Sequence, residues 1–199
     1  MRLSPAETQS LREQFEKRQS SLQMASVDFS QTLSLAGLRR PAVSRGRILY
    51  ASRGRLLIEY QQPPGDFILL PGDGTLVSRK GGRPIVAQKL DQMDVRARRG
   101  LTLLLSLFEG KLPVGFTHPR FEARREGEHR VIVTMTPEAS AAGPVDGVER
   151  IETTLVLPTL DPAAVSIRLA GGAEMRYDFG QIERRAKLSP DAFSVPPSP

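Results

Sequence analysis

Turn-forming pairs punctuate the first half of the chain so densely that only short strands fit between them. Pro63-Pro64-Gly65, Asp73-Gly74 and Gly81-Gly82 separate apolar runs at Arg45–Ala51, Arg55–Gln61, Asp66–Leu70 and Thr75–Lys80, and Arg83–Gln88 extends the series. Parallel neighbours need long crossover connections, so turns this close together dictate an antiparallel meander. The meander starts at Ala25, where the spacing of apolar residues falls to two. Ala25, Val27, Phe29, Gln31, Leu33 and Leu35 alternate with polar positions until Gly37 and Pro41 break the run.

A helix precedes it. Ser4-Pro5-Ala6-Glu7 has the capping-box order, with proline at the first helical position, and Leu11, Phe15 and Leu22 then mark one narrow apolar stripe. A second helix is expected over Arg96–Gly110. Leu101, Leu104, Leu105 and Phe108 share one of its faces, and Leu103 and Leu107 lie opposite. A helix apolar on both sides must be covered on both sides, either as a buried helix or as a lid over an apolar cavity.

Strands then return. Arg120–Arg125 and Arg130–Thr136 flank Glu126-Gly127-Glu128 as a hairpin, and Glu149–Leu157 follows with Ile151, Leu155 and Leu157 on one face. Ala164–Leu169 and Ala173–Glu183 flank Gly171-Gly172, and Ala192–Pro197 reads as a short terminal strand. The expectation is mainly β with an α-helical lid: an unclosed antiparallel half-barrel of about ten strands, with an N-terminal helix and a mid-chain apolar helix. Residues 1–199 form one domain on this reading.

Composition narrows the chemistry. The 199 residues include no cysteine, which excludes a disulfide, a thiolate metal site and a cysteine nucleophile. The net charge of +6 rests on 23 Arg and only 5 Lys, spread as pairs such as Arg39-Arg40, Arg98-Arg99, Arg124-Arg125 and Arg184-Arg185, a pattern of solvated faces. No apolar run reaches the ~18 residues of a membrane-spanning helix. Met1-Arg2-Leu3 leads at once into the polar helix, so either a cytoplasmic protein or a mature form without its leader is expected.

No G-x-S-x-G, H-E-x-x-H or P-loop motif is present, and His118 and His129 have no companion ligands. An enzyme, a metal site and a cofactor are therefore not expected. Tyr50, Tyr60 and Tyr177 take inward positions on their strands, which disfavours nucleic-acid stacking. There are 24 Leu against 8 Phe, 3 Tyr and no Trp, so the apolar surface is mainly aliphatic. Such a lining suits flexible acyl chains, since burial stabilises by ~0.8 kcal/mol per CH₂ without demanding geometry.

Several runs in order resemble the periplasmic outer-membrane lipoprotein carrier (LolA-like) family. They are Val27-Asp28-Phe29-Ser30-Gln31, Ile48-Leu49-Tyr50-Ala51-Ser52-Arg53, Gly54-Arg55-Leu56-Leu57-Ile58-Glu59-Tyr60 with Pro63, Ile68–Leu76 with its Asp73-Gly74 turn, and Phe193-Ser194-Val195-Pro196. The resemblance implies a half-barrel whose helical lid encloses a lipid cavity. It also implies a monomeric periplasmic carrier of acylated lipoproteins, its signal peptide absent here. Such a carrier would work between an inner-membrane ABC lipoprotein-release complex and an outer-membrane lipoprotein receptor, without nucleic acid.

The lipid-cavity set it implies is Val27, Phe29, Leu33, Leu56, Ile58, Tyr60, Phe67, Leu69, Leu101, Leu104, Leu105, Phe108, Met175, Tyr177 and Phe179. The family's Arg-Pro is Ser52-Arg53 here, which makes Arg53 the candidate lid latch, with Arg55 and Arg47 as substitutes. Leu56 and Ile58 replace the family's Phe and Trp, so a divergent member with a less aromatic cavity is expected. The rival readings are a receptor or lipid or peptide sensor of the same fold, and a polyanion-binding β-domain.

Overall fold

The computed structural model describes residues 1–35, 39–93, 95–111, 119–137, 147–184, 188–189 and 191–196. Gly37, His118, Arg185 and Pro197, singled out above, lie outside them. The first helix, α1 (Pro5–Ser20), begins with the expected capping box. The Ser4 amide donates to Glu7 Oε2 at 2.8 Å, and the Glu7 amide donates to Ser4 Oγ at 3.3 Å. The Ser4 amide and hydroxyl, both donating to Glu7 Oε2, hold the exposed Glu7 carboxyl below its usual range. The helix stops at Ser20, so Leu22 is not part of its stripe; Leu22 is buried in the main core beyond the cap.

Among the described residues twelve strands follow, all antiparallel and all in one sheet. The first group is β1 (Met24–Ser34), β2 (Ala42–Ala51), β3 (Arg55–Gln62), β4 (Pro64–Leu70), β5 (Thr75–Arg79) and β6 (Val86–Lys89). A 3-10 turn at Leu90–Gln92 leads into α2 (Val95–Glu109). The second group is β7 (Arg120–Glu126), β8 (Arg130–Thr136), β9 (Val148–Val156), β10 (Asp161–Leu169), β11 (Glu174–Phe179) and β12 (Glu183–Arg184).

The order across the sheet is β6-β5-β4-β3-β2-β1-β11-β10-β9-β8-β7, and β12 pairs with the start of β1. The sheet is therefore unclosed, an open half-barrel with α2 as a helical lid. One of its two outer strands is covered. The Leu3 amide donates to Ala123 O at 2.9 Å and the Arg125 amide to Met1 O at 2.8 Å, which satisfies part of the β7 edge.

Two expected strands differ. Ala173–Glu183 is broken after Phe179, where the Gly180 amide donates to Asp28 O at 2.8 Å and the chain re-enters as β12. That break helps to raise the strand count above the expected ten or so. The Ala192–Pro196 segment is a turn, closed by the Ala192 amide on Ser189 O and the Ser194 amide on Asp191 O. Phe193 there packs on the outer face of the sheet with Arg55 5.2 Å above its ring.

Candidate functional site: an apolar cavity under two helices

Register builds the inner face of the sheet in rungs. Phe121, Met135, Ile151, Ile167, Met175 and Leu33 are successive cross-strand partners from β7 to β1. The neighbouring rung runs Ala123, Val133, Thr153, Val165, Tyr177 and Gln31. On the other side of β1, Val27, Ile48, Ile58 and Ile68 form a rung, as do Ala25, Tyr50, Leu56 and Leu70. Side chains alternate across a strand, so every member of a rung meets the same side.

Between this face and the helices lies a cavity of about 110 Å³. Its walls are Val133, Met135, Ile151, Thr153, Leu155, Val165, Ile167 and Tyr177, and its roof is Leu103, Leu104 and Leu107 of α2 with Leu11 and Phe15 of α1. Charge is confined to Arg12, Glu16 and Lys111. Arg12 Nε lies 3.1 Å from Glu16, and its guanidinium sits 4.9 Å above the Phe121 ring. The hydroxyls of Thr102 and Ser106 donate back to α2's own carbonyls at 2.9 and 2.7 Å, so neither is left as a free polar group.

An aromatic chain bounds the cavity on its β11 side. Tyr60 meets Phe29 edge-on at 5.7 Å, Phe29 meets Tyr177 at 5.9 Å, Tyr177 stacks on Phe179 at 6.2 Å, Phe179 meets Phe108 at 6.3 Å, and Phe108 stacks on Tyr50 at 5.5 Å. Six rings thus join β3 to the lid. Gly46 lets this happen, because a Cβ there would lie 2.0 Å from Glu59 O and 3.0 Å from the Phe29 ring. Burial pushes the phenols of Tyr50 and Tyr60 up to about 12, and raises Tyr177 as well, so all three stay neutral donors.

The sequence-derived cavity set divides into four. Leu104 and Tyr177 line the cavity itself. Val27, Phe29, Leu56, Ile58, Leu101 and Phe108 are buried in the core that seals its flank, with Tyr60, Leu105, Met175 and Phe179 packed against that core. Leu33 is half-buried at the end of β1, opposite Met175.

Phe67 and Leu69 are not on this face at all. They form a separate cluster with Leu57, covered by Phe193 on the outer side. The register explains the correction: Ile58 pairs with Ile68 and Leu56 with Leu70, which puts the intervening Leu69 and Phe67 on the opposite side.

Arg53, the candidate latch, makes no contact with the described residues of the lid in this structure. It is exposed in the turn joining β2 to β3 with a φ of 69°, and makes no hydrogen bond or ion pair among the described residues. A left-handed turn residue has left the strand pleat, so strand alternation does not aim it at the lid. Arg47 pairs with Asp28 at 2.9 Å and Arg55 covers Phe193, so neither substitute takes the role.

The sequence-derived cavity set omits the roof residues of α1 and most of the wall. Leu11 and Phe15 were visible as a stripe, and Leu103 and Leu107 as the far side of α2, but nothing in one sequence says that these meet. The contact depends on Gly110, where a Cβ would lie 2.7 Å from Gln19 Cβ and 2.8 Å from Glu16 O. There the end of α2 touches the backbone of α1.

No protein-family model matches the chain, and neither does any curated protein. Solved structures do. An uncharacterized conserved protein from Thermus thermophilus superposes with a TM-score of 0.57 at 11% identity, over 96% of this chain and 94% of that one. LprF from Mycobacterium bovis gives 0.50 at 14% identity, over 98% and 100%. A LolA superfamily protein from Nitrosomonas europaea is also among the similar structures, with 0.45 at 11% identity over 94% and 97%. At identities this low the likeness is one of fold. What these structures share with this chain is the open antiparallel half-barrel.

Proposed function

We propose that this protein binds the acyl chains of lipids or lipoproteins and carries them across the periplasm from the inner to the outer membrane. The observation that carries the reading is the aliphatic cavity between α1, α2 and β8–β10, roofed by leucines and walled by Val, Ile, Leu and Met. Burying a methylene there gains ~0.8 kcal/mol with no directional demand, which is the interaction an acyl chain offers. The motif resemblance supports the same reading. Acylated lipoproteins are the proposed cargo, an inner-membrane release complex the donor and an outer-membrane receptor the acceptor.

Size supports a moving lid. Sites for drug-sized ligands measure roughly 300–1,000 Å³. The cavity measures about 110 Å³, so on this reading an acyl chain enters only if the helices separate from the wall. Extraction of freshly purified native protein followed by lipid mass spectrometry tests the reading. Stoichiometric acyl lipid is the expected result; protein that emerges lipid-free and takes up no lipid or acylated peptide from detergent overturns it.

A further inference from the structure

A hydrogen-bonded polar group stands inside the apolar face. Gln31 lies on the inner side of β1, where its Nε2 donates to Tyr177 Oη at 3.0 Å and lies 3.2 Å from Met175 Sδ. Its Oε1 accepts from Tyr60 Oη at 3.4 Å. The sulfur carries no hydrogen and can only accept, which assigns the amide nitrogen to the side that faces it. Gln31 then has both donors and its acceptor engaged. Tyr60 has spent its proton on Gln31.

Tyr177 has not. Its oxygen accepts from Gln31, while its own hydroxyl hydrogen has no acceptor among the described residues, although the side chain is 5% exposed and lines the cavity. A buried donor without an acceptor is costly, and costs nothing once a ligand supplies the acceptor. The phenols of Tyr60 and Tyr177 are held neutral by burial, so the donor persists at every physiological pH.

We propose that Tyr177, oriented by Gln31 and Tyr60, is a carbonyl-recognition subsite that hydrogen-bonds the ester carbonyl of an acyl chain lying in the cavity. This rests on the lipid-binding reading above and adds to it a preference for acyl over alkyl chains. Gln31 and Tyr60 act as positioning residues. They are half-buried at the flank of the cavity, beside the aromatic chain, so the polar end of a chain bound there would lie at that flank while its tail fills the leucine-roofed space.

The test uses palmitoyl-lysophosphatidylcholine and its ether analogue hexadecyl-lysophosphatidylcholine, which differ in the carbonyl, each titrated calorimetrically below its micelle concentration. Wild-type protein should bind the ester roughly three- to tenfold more tightly, the range one neutral hydrogen bond provides. Tyr177→Phe keeps the ring stacks and should abolish that preference by weakening the ester alone; Gln31→Leu should reduce it, with the ether affinity unchanged. Equal affinities in the wild type, or an equal loss for both ligands in Tyr177→Phe, overturn the subsite and leave the lipid reading standing. Binding of neither ligand by the wild type overturns both.

Discussion

The two halves of the sheet meet the same lid differently. Over β2–β5 the inner residues Ile48, Leu56, Ile58 and Leu76 are 0–2% exposed, and Phe108 of α2 stacks directly on Tyr50. Over β8–β10 the wall is as apolar, but α2 and α1 stand off it and leave the cavity. Both halves contain aliphatic rungs of similar length, so hydrophobicity does not explain the difference. The rings do. All six members of the aromatic chain lie on β1, β2, β3, β11 or α2, and none on β8–β10. Flat, wide side chains from neighbouring strands and α2 meet one another on one flank, whereas the wall contributed by β8–β10 carries no ring.

The largest contrast should appear in core truncations. Ile48→Ala in the packed half should cost about 2–5 kcal/mol in urea denaturation, whereas Val133→Ala, which already borders empty space, should cost less than about 1 kcal/mol. Equal losses would mean that the two halves are packed alike. Gly110→Ala probes the joint that sets the stand-off. A φ of 65° and the contact with Gln19 should make it about 1–2 kcal/mol less stable, while Gly127→Ala, also at positive φ but with no neighbour within 4 Å, reports the backbone cost alone. No difference between these two variants would remove the helix–helix contact from the account.

Filling the open half sharpens the comparison. Val165→Phe projects a ring into the cavity and should lower acyl-lipid affinity at least ~tenfold while changing the melting temperature little. An unchanged affinity would place the bound chain elsewhere. The smallest expected effect is optical. The phenols of Tyr50 and Tyr60 rise from 10.0 to about 12 on folding, so the stability they contribute is complete below pH 10 and is lost as the pH climbs towards 12. Tyrosinate absorbance should therefore stay flat through pH 10 in the native protein and appear with unfolding; ordinary ionisation near 10 would show the rings to be open to water.

Much of this was legible from local signals. Ser4 and Glu7 define the start of α1 within four residues, and Val27, Phe29 and Gln31 reveal the inner face of β1 because their neighbours Asp28 and Ser30 are polar. Phe67-Ile68-Leu69-Leu70 carries no such contrast. Both faces of β4 are buried, so alternation is silent, and only the register with β3 says that Ile68 and Leu70 point inward. The break at Gly180 was hidden for a similar reason, since Phe179 and Ile182 flank it with apolar residues on either side. The position of the cavity lay furthest from view. It depends on where α1 and α2 come to rest, a contact between residues about ninety positions apart that no local pattern encodes.

The order of strands has a mechanical consequence. The outermost strands of the sheet, β6 and β7, are consecutive in the chain, and the segment that joins them contains α2. The sheet is thus a bow and the helix part of its string. A string lifted from the belly of a bow slackens the limbs, so displacing α2 would relax the curvature of the sheet as well as raise the roof. Capacity would then grow in two directions from one movement, and the distance between the tips, β6 to β7, would be the gauge of how full the molecule is.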